Sequence, residues 1–336
     1  TLKKRLKVFL KLITKPIAVR SSSLFEDSLT QPFSGIFETY ILPNNHKEFD
    51  QRFKQLTNAI KLVYASIYSK NARTYFKAID YKVEEEKMAV VLQEVVGNEF
   101  SGYYYPHISG TAQSHNYYPV AHMKPDEGFV VAAIGLGQYV VEGEKAFRFS
   151  PMYPNLDIIS TKDLYKGSQI YYYAVNLEKQ NINLLDGEDA GLIKMEISEA
   201  EKHGTLKHLA SVYDPENDTV SPGLDSYGPR IVNFANILKY EYIPLAKTIN
   251  VILDVVKEAL GSPVEMEFAV DLTKDRNGLA SFYLLQIKPL VGQEDDYNVD
   301  LSKIDQDQLV LYSEKTMGNG KIKNIKDVIY VMPEKF

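Results

Sequence analysis

The stretches LGSPVEMEFAVD (260–271) and FYLLQIKPL (282–290) decide how this chain folds. Both are rich in β-branched and aromatic residues and are bounded by turn formers, so they read as strands over Val264–Asp271 and Ser281–Pro289. Asn277-Gly278 between them is a strong hairpin signal. Strand side chains alternate between faces, so Glu265 and Glu267 share one face while Met266, Phe268 and Val270 take the other. Gln286 and Lys288 likewise share a face of the second strand. A turn centred on Asn277-Gly278 without a bulge sets Glu267 opposite Lys288, with Gln286 one pair along. Two carboxylates, an amide oxygen and a cation then converge. Carboxylate and carbonyl oxygens suit magnesium, and a nearby cation suits phosphate. A solvent-facing hairpin with an ordinary cross-strand ion pair has the same pattern, and pattern alone favours that plainer reading.

Upstream of the hairpin, Pro244 is placed to open a long helix whose apolar stripe is Leu245, Ile249, Ile252, Val256 and Leu260, with Gly261 to end it. Near the other end, Phe49, Phe53, Leu56, Ile60, Val63 and Ile67 recur at helical spacing, and Asn44-Asn45 can cap that helix. A second helix is expected over Ala72–Ile79. Leu2–Ile13 reads as a short basic amphipathic helix, facing a core or partner in preference to a membrane interface. Strands are expected at Ile17–Val19, Met88–Val96, Ser101–Tyr105, Val130–Ile134, Gln169–Val175, Leu192–Ile197 and Val328–Val331. Residues 106–127 read as a long loop. Tyr171, Tyr172 and Tyr173 read as half-buried sheet.

The remaining constraints are mostly exclusions. The 336 residues, 45% hydrophobic and 24% charged, suit an ordinary globular chain of one large or two moderate domains. A formal net charge of −6 argues against a nucleic-acid binder. The absence of cysteine excludes disulfides and thiolate sites. The six histidines lack metal-binding spacing and read as packing or surface residues. No apolar run approaches a membrane span, and no signal-peptide cleavage site is visible. The expectation is a cytoplasmic protein without nucleic-acid or membrane partners. A first residue Thr1 in place of Met suggests a trimmed sequence.

Two smaller motifs precede the hairpin. Arg20, in AVRSSS at the end of a strand, could clamp a phosphate with its planar fork, or be a surface arginine beside a capping serine. IGLG at 134–137 follows a strand, but Val140 stands where a dinucleotide-binding GxGxxG needs its last glycine. A tight turn, near a ligand or purely structural, is the reading that remains.

In order along residues 16–290, these pieces resemble the ATP-binding part of phosphoenolpyruvate synthase and pyruvate phosphate dikinase. AVRSSSLFEDSLTQPFSGIFETY (18–40) is similar to the family's arginine segment, and VVLQEVVG (90–97) to its adenine-hinge strand. AIGLGQYVVEG (133–143) is similar to its glycine turn, and the 260–271 and 282–290 pair to its acid and glutamine strands. The resemblance implies an α+β ATP-grasp fold, with ATP and magnesium held between two mixed lobes. It implies a partial N-terminal lobe at 1–96, a C-terminal lobe at 97–290 with an insertion near 150–235, and an extension or linker at 291–336. By the same resemblance, Arg20 and Lys288 contact phosphates as catalytic residues, and Gln93, Glu94 and Val95 line the adenine. Glu265, Glu267 and Gln286 bind magnesium. The implied activity is a phosphotransferase that phosphorylates a histidine on a separate swivelling domain, for transfer to pyruvate on a pyruvate-binding domain.

Several positions depart from the family pattern. Lys288 stands for an arginine and Gln138 for an acid, and only 19 residues precede Arg20, too few for the family's upstream lysine. The loop after Tyr105 lacks the usual threonine and aspartate, and the loop between the last strands is longer. The expectation is a chain inactive on its own. The alternative is a catalytically degenerate ATP-grasp module with a nucleotide-sensing or structural role. A third reading keeps the ATP chemistry but changes the phosphoryl acceptor.

Overall fold

The computed structural model describes residues 1–23, 35–78, 82–83, 86–120, 122–156 and 159–290, together with Lys326 and Ile329. The chain divides into two compact units, Thr1–Leu290 and Val291–Phe336, and all elements below belong to the first. The strand expected at Val328–Val331, apart from Ile329, and the end of the helix expected at Ile79 lie outside the described residues.

The first part of the chain forms α1 (Leu2–Leu12), β1 (Ile17–Ser23), β2 (Tyr40–Leu42), α2 (Phe49–Ser66), α3 (Lys70–Ala78) and β3 (Met88–Glu94). The strands make an antiparallel sheet in the order β2-β1-β3. Alternation along β1 buries Ile17 and Val19 against Leu56, Ala59 and Val63 of α2. Ala18 and Arg20 take the opposite face, with Gln93 and Val91 as their cross-strand partners. The α1 helix faces this core: Leu10 is buried, and Lys7 and Lys11 lie over the rings of Phe53 and Phe49. Two expectations need correction here. Strand β1 continues through the polar Ser21–Ser23, because full pairing with β3 satisfies its backbone. The cap of α2 is Glu48, not Asn44 or Asn45; those amides instead tie Ile13, Lys15 and Leu177 carbonyls.

The rest comprises β4 (Asn98–Phe100), β5 (Tyr103–Tyr105), β6 (Ile108–Gln113), β7 (Phe129–Ala133), α4 (Gln138–Val141), β8 (Phe147–Phe149) and α5 (Thr161–Gly167). There follow β9 (Tyr171–Asn176), β10 (Leu192–Glu196), α6 (Ile197–Lys202), β11 (Ala210–Asp214), β12 (Thr219–Pro222), β13 (Arg230–Val232), α7 (Ala235–Leu238), α8 (Leu245–Leu260), β14 (Val264–Asp271) and β15 (Ser281–Pro289). The middle region supplies the two strands expected there, β9 and β10, to a four-stranded sheet β10-β9-β5-β4 and builds a three-stranded sheet β12-β11-β13. The half-buried reading of the tyrosines is corrected: Tyr171 is exposed, but Tyr172 and Tyr173 are both buried, because β9 packs a different core on each face.

The central sheet is five-stranded, in the order β15-β14-β6-β7-β8, and antiparallel throughout. One face carries Val264, Met266, Phe268 and Val270 with Ala112, Val130 and Ala132. It belongs to the same core as Leu245, Ile249, Leu253 and Val256 of α8. The α8 stripe is therefore corrected: Leu253 is buried where Leu260 is 51% exposed. Gly261 closes the helix in the left-handed conformation, its N–H on the Lys257 carbonyl.

The segment expected as loop contains β6, a central strand. Its small residues, Ser109-Gly-Thr-Ala112, hide the apolar alternation that marks strands, because neighbours on both sides press close. A Cβ at Gly110 would lie 2.3 Å from the Val131 carbonyl oxygen and 2.8 Å from the Phe268 ring.

The hairpin register also differs from expectation. Glu265 pairs with Lys288 and Glu267 with Gln286, because the connection spans residues 272–280 and is not a two-residue turn. A bulge then makes Leu285 the extra residue, since Phe268 pairs with Leu284. Phe282 stacks on Phe268 on the core side, while Gln286 and Lys288 sit with the two glutamates on the other.

At the far end of β14, Asp271 Oδ1 lies 3.2 Å from His107 Nδ1 and accepts the Thr273 N–H at 2.8 Å. Burial would raise its pKa, but hydrogen bonds from His107, Asn98 and Thr273 outweigh that and hold it well below the usual carboxylate range. A depressed carboxylate stabilises the fold above its unfolded pKa and loses that contribution as pH falls through the folded value. Asp271→Asn is therefore expected to cost about 1–3 kcal/mol near neutrality. Urea denaturation across pH should show the gap to wild type shrinking below pH ~4; a gap independent of pH would refute the ionic role.

Candidate functional site

Arg20 is the meeting point of two sheets far apart in sequence. Alternation along β1 turns it away from the α2 core and onto the face that carries Gln93. From there its guanidinium donates to Gln286 Oε1 at 2.5 Å, to Glu267 Oε2 at 3.3 Å and to Gln93 Oε1 at 3.4 Å. Glu267 and Gln286 are direct cross-strand partners on β14 and β15, so one fork spans both. Gln93 Nε2 reaches the carbonyl of Leu285, the bulged residue, at 3.5 Å. Lys288 Nζ lies 4.0 Å from Glu267 Oε1. Arg20, Glu267 and Lys288 side chains are 26%, 20% and 23% exposed, so these charges are partly shielded from solvent.

Glu265 shares the face but has a separate partner. Gln113, directly opposite on β6, donates its amide to Glu265 Oε2. Gln113 lies in the stretch expected as loop, which is why sequence reading passed over it. Only its offset from Ser109 and Thr111 on a period of two could have revealed it. Burial, and then the nearby Glu265 charge, raise the Tyr117 hydroxyl above its ordinary pKa.

The three hinge residues diverge. Gln93 faces Arg20, whereas Glu94 points outward and pairs with Lys15 at 3.0 Å. Val95 is buried; its N–H donates to the Pro16 carbonyl and its own carbonyl accepts the Tyr104 hydroxyl, each at 2.9 Å. Burial, followed by the charge of Glu94, raises the Tyr104 pKa, so this phenol remains a donor.

The glycine turn is held from two sides. Ser109 Oγ donates to the Gly135 carbonyl at 2.6 Å, and Leu136 N–H donates to the Tyr173 carbonyl at 2.9 Å. Gly135 has a φ of 88°, and a Cβ there would lie 2.7 Å from the Tyr173 carbonyl oxygen. Just beyond, Gln138 Nε2 donates to Glu142 Oε1 and Asp189 Oδ1, both at 2.7 Å. An amide here bridges two carboxylates, where an acid would add a third negative charge. Asp189 belongs to the short turn Glu188–Gly191, which docks on β2: Thr39 N–H donates to Glu188, and Gly191 lies close against the Ile41 carbonyl. Burial and a hydrogen bond to Glu142 push the Tyr173 hydroxyl up to about 12.

Among the described residues no group of three acidic, histidine or cysteine side chains forms a metal cage. The donors present are the Glu267 carboxylate and the Gln286 amide oxygen beside two cations, which suits an anion or an ion–anion pair better than a bare metal. No helix of the described residues is long and apolar enough to cross a membrane.

Comparison with known proteins gives this arrangement a family. The uncharacterized phosphotransferase YvkC of Bacillus subtilis is 32% identical over 129 residues, 38% of this chain and 13% of that protein. The phosphoenolpyruvate synthase of Aeropyrum pernix is 27% identical over 158 residues, 46% of this chain and 17% of that protein. The chain thus matches under a fifth of the length of either relative. The family model for the AMP/ATP-binding domain of pyruvate phosphate dikinase matches residues 2–309, so the chain belongs to that family.

Proposed function

We propose that residues 1–290 form an ATP-grasp unit that holds ATP with magnesium between the β1/β3 sheet and the β14/β15 hairpin. The observation that carries this reading is the convergence of Arg20 on Glu267, Gln286 and Gln93. Magnesium is usually held by one or two carboxylates completed by substrate phosphates. Glu267 and Gln286 supply such oxygens, with Glu265 beside them. When bound, the metal would neutralise charge on the phosphates. Arg20 and Lys288 would grip the phosphate oxygens, and the Gln93–Val95 strand would receive the purine. In the larger protein the ATP would phosphorylate a histidine on a separate swivelling domain, for delivery to pyruvate, as a phosphoenolpyruvate synthase-like phosphotransferase. This domain would contribute positioning and charge neutralisation. Its setting would be cytoplasmic.

Calorimetric titration with ATP and magnesium tests the site. Wild type should bind, and Glu267→Ala/Gln286→Ala should abolish the magnesium dependence. Arg20→Ala should weaken binding roughly 10- to 100-fold, the equivalent of one or two charged hydrogen bonds. Binding that is unchanged in both variants would refute the assignment.

The second reading, a degenerate module that senses nucleotide or serves structure, draws on Gln138. Its amide nitrogen donates both to Glu142 at the end of α4 and to Asp189 of the Glu188–Gly191 turn, joining the two. If position 138 is structural, Gln138→Glu should lower stability by about 1 kcal/mol, measured by urea denaturation, with no gain in ATP affinity. A gain in magnesium-dependent affinity would instead mark 138 as a nucleotide position that the wild-type chain leaves neutral.

A further inference from the structure

A cavity of about 340 Å³ wraps the outer edge of β8, on the side of the central sheet farthest from Gln286. That volume lies at the low end of small-molecule pockets, roughly 300–1,000 Å³. None of its lining residues belongs to the nucleotide site. Its walls come from the β6–β7 connection, the start of β7, β8, the β8–α5 connection, α5, and α7 with its flanking residues. Phe129, Phe147, Phe149, Leu164 and Leu238 make it mostly apolar.

Its polar side chains are Asn116, Tyr118, Arg148, Ser150, Asn233 and Lys239, two of them cationic. Arg148 sits in the same cross-strand row as Glu267, three strands away through Thr111 and Val131. At about 4.8 Å per strand that is roughly 14 Å. Its guanidinium lies 3.9 Å from the centroid of the Phe129 ring, and among the described residues only Nη2 makes a hydrogen bond, to Asn116 Oδ1 at 3.1 Å. Asn116 is 3% exposed; its Oδ1 also accepts the Tyr118 N–H, while its Nδ2 donors have no partner among the described residues. Ser150, 5% exposed, accepts the Tyr153 N–H and keeps its own hydroxyl proton to donate. Arg148, Asn116 Nδ2 and Ser150 Oγ thus all offer donors, and no aspartate or glutamate lines the cavity among the described residues.

The Asn116 amide donor opens on the cavity without a protein acceptor, and an anion is the strongest acceptor it could meet there. We propose that this cavity is a binding site for a small apolar carboxylic acid. The carboxylate would be held by Arg148, Asn116 and Ser150, and the hydrocarbon body would pack on Phe129 and round the edge of β8 toward Phe147 and Phe149, which alternate to the other face. The site is separate from the nucleotide site and does not depend on the reading of that site.

The test is calorimetric titration of the full 336-residue chain with 4-phenylbutyrate and with the neutral 4-phenylbutanol. The acid should bind with a Kd below about 1 mM, at least tenfold tighter than the alcohol. Arg148→Ala should weaken the acid tenfold or more and leave the alcohol unchanged. Asn116→Asp keeps the acceptor for Arg148 and Tyr118 but replaces the free donor with a charge, and it should also abolish acid binding. Thermal melts establish that both variants are folded, and either variant alone suffices to judge the outcome. No binding of the acid by wild type, or equal binding of acid and alcohol untouched by both substitutions, would overturn the proposal.

Discussion

Strand β14 must satisfy two environments at once, and the rest of the molecule is arranged around that demand. Met266, Phe268 and Val270 join the core that contains α8, while Glu265 and Glu267, interleaved between them, face Gln113, Arg20 and Lys288. A strand can do this only because its side chains alternate strictly. The apolar face anchors the strand in the core that its neighbours share. That rigidity lets the polar face hold two carboxylates in place without surrounding them with ligands. The acids are then balanced locally, by an amide at 265 and by cations at 267.

Arg20 shows how this balance is made. The guanidinium comes from a sheet with its own helix and its own core, and it bridges to oxygens on the hairpin. Partly shielded charge pairs of this kind give little net stability, because desolvation offsets much of the attraction. They are better at specifying geometry. The contact orients the two oxygens and keeps the positive fork where an anion would meet it.

The legible parts of the sequence were those where one periodicity dominates. The α2 and α8 stripes and the β14 alternation announce themselves because each element buries one face against one neighbour. Family likeness then picked out Arg20, Glu267 and Gln286, which the structure brings together; Gln93 joins them, and Glu94 and Val95 turn elsewhere. Two things escaped. Strand β6 is pressed by backbone at Gly110 and by Ser109 at the glycine turn, so it is built of small residues without a hydrophobic signature. Gln113 was lost with it. The hairpin register was misjudged because Asn277-Gly278 sits inside a longer connection, where Asp275 organises the turn by accepting the Asn277 and Leu279 N–H groups.

The single extra residue on β15 has a consequence for how this hairpin can change. Counting by twos from Phe282, positions 284, 286 and 288 would all fall on the apolar side. Leu285 breaks that parity, and only then do Gln286 and Lys288 emerge beside the acids. Insertions between Asp271 and Ser281 merely lengthen an exposed connection. Within Ser281–Gln286, by contrast, losing or gaining one residue would turn Gln286 and Lys288 to the apolar side and bring Leu285 and Ile287 to the site face, however well the chain still folded. The site is therefore guarded by an odd number, and length, more than residue type, is what this short strand segment cannot vary.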